Sequence, residues 1–174
     1  LTQMMIDAAR GLEAGGAGCL LICSNTMHKM APEVQAAVDI PLLHIGDAIA
    51  AAVHDSGAIR PLLLATRFAM EQDFYLGYLR ERHGIDAVVP KERDRMEVHR
   101  VIYEELCQGK VLDSSARAYM RIIDRACSDA DAPADSVIFG CTEIGLLITS
   151  GDFLIPAFDT TVLHAEAALT FAGY

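Results

Sequence analysis

Two hydrophobic runs in this chain end on a small side chain that can give or take a proton. Leu20-Leu21-Ile22-Cys23 leads into Ser24-Asn25-Thr26, and Val137-Ile138-Phe139-Gly140 leads into Cys141-Thr142-Glu143. A short continuous apolar run marks a strand covered on both faces. In an open α/β sheet, ligands bind beyond the carboxyl ends of such strands. Two ends of this kind, far apart in sequence, point to one site with an acid/base group on each side. Aligned without gaps, the motifs set Ser24 opposite Cys141 and Cys23 opposite Gly140. Side chains alternate along a strand, so this register turns Ser24 toward the site and leaves Cys23 buried. Asn25, Thr26 and Thr142 stand beside the two positions as hydrogen-bond donors.

Each residue also has a plainer reading. Cys141 fits a small buried hydrophobe. Ser24 and Asn25 fit caps of the helix that follows, and Glu143 fits a first-turn acid favoured by the helix dipole. His28 and His164 suit structural or orienting roles better than that of a base. The Met4-Met5 pair suits the core.

The loops need elements to hold them. Residues 2–14 carry Met5, Ala8, Ala9 and Leu12 at helical spacing and stop at Gly15-Gly16. A strand is predicted over 17–23, a helix from Pro32, a strand over 41–45, and a helix to Val53 capped by Asp47. A strand over 60–65, a helix over 71–82 and a strand over 86–89 come next, then helices over 92–107 and 113–128. The 137–140 strand follows, then a short helix, a strand near 153–155, and a last helix capped by Asp159 or Thr160. Strands alternating with helices mean an α/β fold with a mainly parallel sheet. The break at 54–59 is the expected boundary between two lobes.

Composition sets the outer limits. At 174 residues and 52% hydrophobic, the chain can bury a sizeable core. A net charge of −10 argues against nucleic acid as a partner, since phosphate backbones demand clustered Lys and Arg. No apolar run reaches the roughly 18 residues of a membrane span, so no membrane partner is expected. Cys19, Cys23, Cys107, Cys127 and Cys141 are odd in number and scattered. They read as free thiols of a reducing compartment, hence the cytoplasm. The six histidines show no ligand spacing with them, so no metal is expected.

Taken together, Cys23-Ser24-Asn25-Thr26-Met27-His28 and Gly140-Cys141-Thr142-Glu143-Ile144 resemble the aspartate/glutamate racemase family, which uses no pyridoxal phosphate. Further stretches agree: Ala65-Thr66-Arg67 before Met70-Glu71-Gln72-Asp73-Phe74-Tyr75, Tyr103-Glu104-Glu105-Leu106, and Phe158-Asp159-Thr160 with His164. The likeness runs through essentially the whole chain and looks closest to the broad-specificity bacterial amino-acid racemase branch. It implies two similar α/β lobes with a small amino-acid substrate, acidic or polar, in the cleft between them. It also implies no cofactor and a homodimer. Because the last helix of the family returns to the first lobe, the lobes are expected as 1–53 plus 153–174, and 58–150. Family members open with a strand bearing a Gly-Gly-Met-Ser type loop, a helix and a further strand. This chain opens at Leu1 inside a helix, so the first lobe is expected to lack that part, including a carboxylate-binding Arg.

Racemisation takes the Cα proton from one face and returns one to the other, so groups are needed on both sides. A thiol, with an ordinary pKa near 8.5, is a competent base once ionised. Symmetric members of the family carry Cys directly before Asn-Thr, where this chain has Ser24. A hydroxyl donates a proton but is a far weaker base, so the site is expected to be asymmetric. Cys141 abstracts, Ser24 or a water it holds returns the proton, and L-amino acids are favoured. Arg95, five residues after Pro90, matches a family Lys or Arg that contacts the substrate carboxylate. It also fits an exposed helix charge. Two other readings stay open. One is a different member of the superfamily, such as a hydantoin racemase, a maleate isomerase or a malonate-type decarboxylase. The other is an inactive paralogue that binds a carboxylate.

Overall fold

The computed structural model describes residues 1–174. α1 (Thr2–Ala14) turns its buried Ala9 toward a small core of Leu20, Val34 and Val38. Met5 packs on that core, whereas Met4 is exposed, so only one of the pair is interior. β1 (Leu20–Leu21) and β2 (Leu42–Leu43) pair in parallel, and α2 (Ala31–Gln35) lies between them in the chain. Both strands are shorter than the sequence suggests. After Leu21 the backbone turns at once into the site loop, where Ser24 N–H bonds the Ile22 carbonyl at 2.8 Å.

α3 (Ile45–Ser56) is capped by His44, whose Nδ1 accepts the Gly46 N–H at 3.0 Å. The expected cap, Asp47, sits in the first turn instead. β3 (Pro61–Ala65) is followed by α4 (Arg67–Glu71) and α5 (Asp73–His83), two helices where one was predicted, because Gln72 is extended. The predicted 86–89 strand survives only as a bridge between Val88 and Leu62. α6 (Glu92–Glu104) and α7 (Asp113–Cys127) precede β4 (Ser136–Gly140). β5 (Ala157–Asp159), displaced past Pro156 from its expected place near 153–155, leads into α8 (Thr160–Phe171). Asp159 caps α8 by accepting the Thr161 and Val162 N–H groups.

The second sheet runs β3-β4-β5, all parallel. Leu62, Leu63 and Leu64 of β3, with Val137, Ile138 and Phe139 of β4, are buried on both faces, as a helix-covered parallel sheet requires. Each such side chain contributes about 1.5–3 kcal/mol of burial. Gly140 ends β4 because nothing larger fits. A Cβ there would lie 2.6 Å from Leu63 Cδ1 and 3.1 Å from Ala65 Cβ. The close approach of β3 and β4 at this point carries the next residue, Cys141, out beyond the carboxyl end of the central strand.

The expected division into 1–53 plus 153–174 and 58–150 does not follow the cores. Ile45, Ile49, Ala50 and Val53 of α3 belong to the large core built on the second sheet, and β5 is bonded into that sheet. A two-stranded sheet offers little apolar surface, and the apolar stripe of α3 finds its partners across the boundary. α8 crosses the other way. It packs along α3 and reaches β2, where His164 Nε2 donates to the Leu43 carbonyl at 2.7 Å.

Candidate active site

Three strand ends converge: the loop after β1, Thr66 after β3, and the loop after β4. Between them lies a cleft of about 350 Å³. Ser24, Asn25, Thr26, Cys141, Thr142 and Glu143 all line it. So do Cys23, Thr66, Tyr103 and Cys107, which the sequence did not single out as site residues. Thr66 had one available signal, since it stands at the end of a buried parallel strand like the other two loops. Tyr103 and Cys107 arrive from α6 and the turn after it, whose placement only the packing reveals. Cys23 corrects the register expectation: it is exposed on the cleft rather than buried in a strand. β1 ends at Leu21, so the strand alternation does not extend to residue 23.

The Cys141 thiol donates to Glu143 Oε2 at 2.9 Å, and the Thr142 hydroxyl donates to the same oxygen at 2.8 Å. Burial pushes the Cys141 thiol well above its ordinary value, and the neighbouring carboxylate pushes in the same direction. The Glu143 backbone N–H works against this by bonding the sulfur, without reversing it. Burial also disfavours the Glu143 carboxylate, but the two hydrogen bonds it receives outweigh that and hold its pKa below the usual range. The resting pair is therefore a thiol against a carboxylate. Glu143 thus accepts the thiol's hydrogen bond as well as standing in a first turn.

On the opposite loop, Ser24 Oγ accepts the Met27 N–H at 3.4 Å. The capping role and the cleft-lining role thus coexist, and accepting that bond leaves the hydroxyl proton free to be donated. Thr26 and Thr66 join their hydroxyls at 3.2 Å, tying the first loop to the end of β3. The Asn25 side chain is committed inside the fold: Oδ1 accepts from Tyr75 Oη at 2.9 Å and Nδ2 donates to Thr160 Oγ1 at 3.0 Å. Its backbone N–H, like that of Thr142, has no protein acceptor. Arg95 does not line the cleft. α6 packs on α4 and sets Arg95 Nε 3.4 Å from Glu71 Oε1, a carboxylate already bonded by Arg67. No group of three or more His, Cys, Asp or Glu side chains is arranged to hold a metal ion. A larger cavity of about 530 Å³ lies at the other end of β3, beside Arg60. Lys91 pairs there with Asp129 and Arg125 with Asp94, whereas Arg60 reaches only Asp86, at 4.0 Å, and its Nε has no partner.

His28 holds the Ser24 loop from beneath. Nδ1 lies 2.8 Å from the Ser24 carbonyl and must donate to it, while Nε2 accepts the Ile45 N–H at 3.1 Å. Both nitrogens are used, which fixes a neutral tautomer. Burial lowers the pKa to about 4, with the bond to Ser24 only partly opposing. The unfolded ring takes a proton below about 6.5, whereas the folded ring stays neutral down to about 4. Unfolding therefore binds a proton in this window, and stability falls as pH drops from about 6.5 to 4, by on the order of 3 kcal/mol for this group. Thermal melts across that range are expected to show a declining Tm. His28→Gln, which can still bond both partners but cannot titrate, is expected to flatten part of the decline. An unchanged slope in that variant would count against His28 as the source.

The profile of the Asp/Glu/hydantoin racemase family matches residues 2–168. A candidate Asp/Glu racemase from Yersinia pestis is 44% identical over 99% of this chain and 74% of its own, with a TM-score of 0.91. An aspartate racemase homologue from Pyrococcus horikoshii is 33% identical over the same shares, with a TM-score of 0.87. The aspartate racemase of Picrophilus torridus, at 22% identity over 99% and 69% and a TM-score of 0.76, shares the fold. A thiol–carboxylate pair and a hydroxyl on one cleft, in a chain so matched, leave one conclusion: the protein belongs to the Asp/Glu/hydantoin racemase family.

Proposed function

We propose that this chain is a cofactor-independent amino-acid racemase that converts L-amino acids, acidic or polar, to their D forms and runs poorly in reverse. The observation that supports this reading most is the pairing of unlike groups on one cleft: the Cys141 thiol with its Glu143 acceptor on one loop, the Ser24 hydroxyl on the other. When substrate fills the cleft and excludes water, Cys141 passes its proton to Glu143. The thiolate then removes the Cα proton. The charge that develops on the substrate carboxylate needs donors already in place. The free N–H groups of Asn25 and Thr142 suit that need. Ser24, or a water it holds, delivers a proton to the opposite face and takes one back from solvent, as Glu143 releases its own. A hydroxyl cannot readily abstract, which disfavours the D-to-L direction. Arg95 would have to leave Glu71 to reach the carboxylate, so the backbone donors carry that role in this reading.

Incubation with panels of L- and D-amino acids in heavy water tests it. Deuterium is expected at Cα, with kcat larger from L than from D and KM larger in the same proportion, because enantiomers of equal free energy require equal kcat/KM in the two directions. Binding of aspartate or glutamate with no label uptake from any amino acid would instead make the protein a carboxylate-binding paralogue.

A further inference from the structure

Asn25 neighbours Ser24, and Phe139 stands two residues before Cys141. A buried set of hydrogen bonds joins these two points. Tyr75 Oη bonds Asn25 Oδ1 at 2.9 Å, Asn25 Nδ2 bonds Thr160 Oγ1 at 3.0 Å, and Thr160 Oγ1 bonds the Phe139 carbonyl at 2.8 Å. Relative exposure is 2% for Tyr75, 4% for Asn25, 0% for Thr160 and 1% for Phe139. The direction of every bond is forced. A carbonyl only accepts, so Thr160 donates to Phe139. The Thr160 oxygen must then accept from Asn25 Nδ2, which turns Oδ1 to Tyr75 and makes the phenol the donor.

We propose that this run, Tyr75 to Asn25 to Thr160 to the Phe139 carbonyl, is a strut that sets the spacing between Ser24 and Cys141. Tyr75 and Thr160 are thereby positioning residues for the proton exchange. The inference rests on the racemase reading above and adds to it residues that never meet substrate. The four groups come from four separate segments: α5, the loop after β1, the start of α8, and β4. No local backbone constraint ties the two site loops to each other, because they follow strands of different sheets. A dry polar chain is well suited to the task. Its bonds have narrow optimal lengths, and slackening any of them leaves a buried donor or acceptor unpaired. Two-sided proton exchange needs such a fixed gap, since both groups must reach one carbon from opposite faces.

The test compares Thr160→Val, which keeps the shape and removes both Thr160 bonds, with Thr160→Ser, which keeps the hydroxyl. Tyr75→Phe is the gentler variant should the valine protein fail to fold. Deuterium exchange at Cα and inversion are scored separately for each L-amino acid that the wild type turns over. Thr160→Val and Tyr75→Phe are expected to lose inversion by up to about 10²-fold at unchanged KM. Exchange falls less, so the ratio of exchange to inversion rises; Thr160→Ser restores the wild-type ratio. Wild-type inversion in the two hydroxyl-less variants, or a parallel loss of exchange and inversion, would overturn the strut. Backbone amide hydrogen exchange supplies a second arm that needs no substrate. Residues 23–27 and 139–143 are expected to exchange faster in Thr160→Val than in wild type, with 62–64 unchanged. Unaltered protection in both loops would overturn the strut as well. A wild type inert toward every amino acid would defeat the racemase reading alone, and the amide arm would still decide the strut.

Discussion

Cys141→Ala is expected to lower kcat for racemisation by roughly 10³–10⁴-fold, the contribution of a positioned acid/base group, while the protein remains folded. The side chain is only partly buried and borders the cleft, so its loss opens space at a surface that already meets solvent. Cα deuteration should fall in step with inversion, because the lost step is abstraction itself. Cys141→Ser should be as inactive as the alanine variant, since a hydroxyl in that environment does not ionise. The partner carboxylate gives a second reading of the same group. Burial holds the thiol up, and Glu143 adds to it. In Glu143→Gln the charge is gone and the thiol should ionise at lower pH. The variant also lacks the carboxylate that takes the thiol's proton, so its turnover should fall below wild type and climb only as the pH nears the thiol's own ionisation, whereas the wild type, with Glu143 ionised, needs no such climb. Iodoacetamide labelling of Cys141, read by peptide mass so that the exposed Cys23 and Cys107 are resolved, measures the midpoint directly. Wild-type turnover in Cys141→Ala would remove the thiol from the mechanism.

Ser24→Ala should separate two events that normally coincide. Cys141 still exchanges the Cα proton of an L-amino acid, so deuterium enters recovered L-substrate. Delivery to the far face is lost, and inversion should drop by about 10²-fold. Ser24→Cys should act in the opposite sense by placing a thiol on each face, so that the D-to-L rate rises toward the L-to-D rate. The neighbouring thiol makes a control necessary, because Cys23 opens onto the same cleft. If Cys23→Ala, and not Ser24→Ala, abolished inversion, the second group would be residue 23.

The two motifs that frame the cleft were legible because they follow a local rule: a buried parallel strand ends where ligands bind, and Gly140 and Cys141 occupy such an end. Their partnership was less legible. The Cys141–Glu143 bond spans two residues and could be guessed from the triplet, but the direction of charge needed the burial of the pair. Asn25 shows where the sequence leaves the atom undecided. Its place beside Ser24 suggests a substrate ligand, yet Tyr75 and Thr160, remote in the chain, claim its side chain. Arg95 stands five residues after Pro90, the place expected of a carboxylate ligand, and the packing of α6 on α4 faces it to Glu71, a partner the spacing does not reveal. Strand lengths were the weakest expectation, because pairing is decided by surfaces that meet only in three dimensions.

The crossing of α3 and α8 bears on how the molecule comes apart. Each helix leaves the sheet that precedes it and completes the other side, so the halves are interlocked. Denaturant or heat should dissolve them as a single cooperative unit. A polypeptide severed near residue 57 should yield two pieces that refold only when mixed.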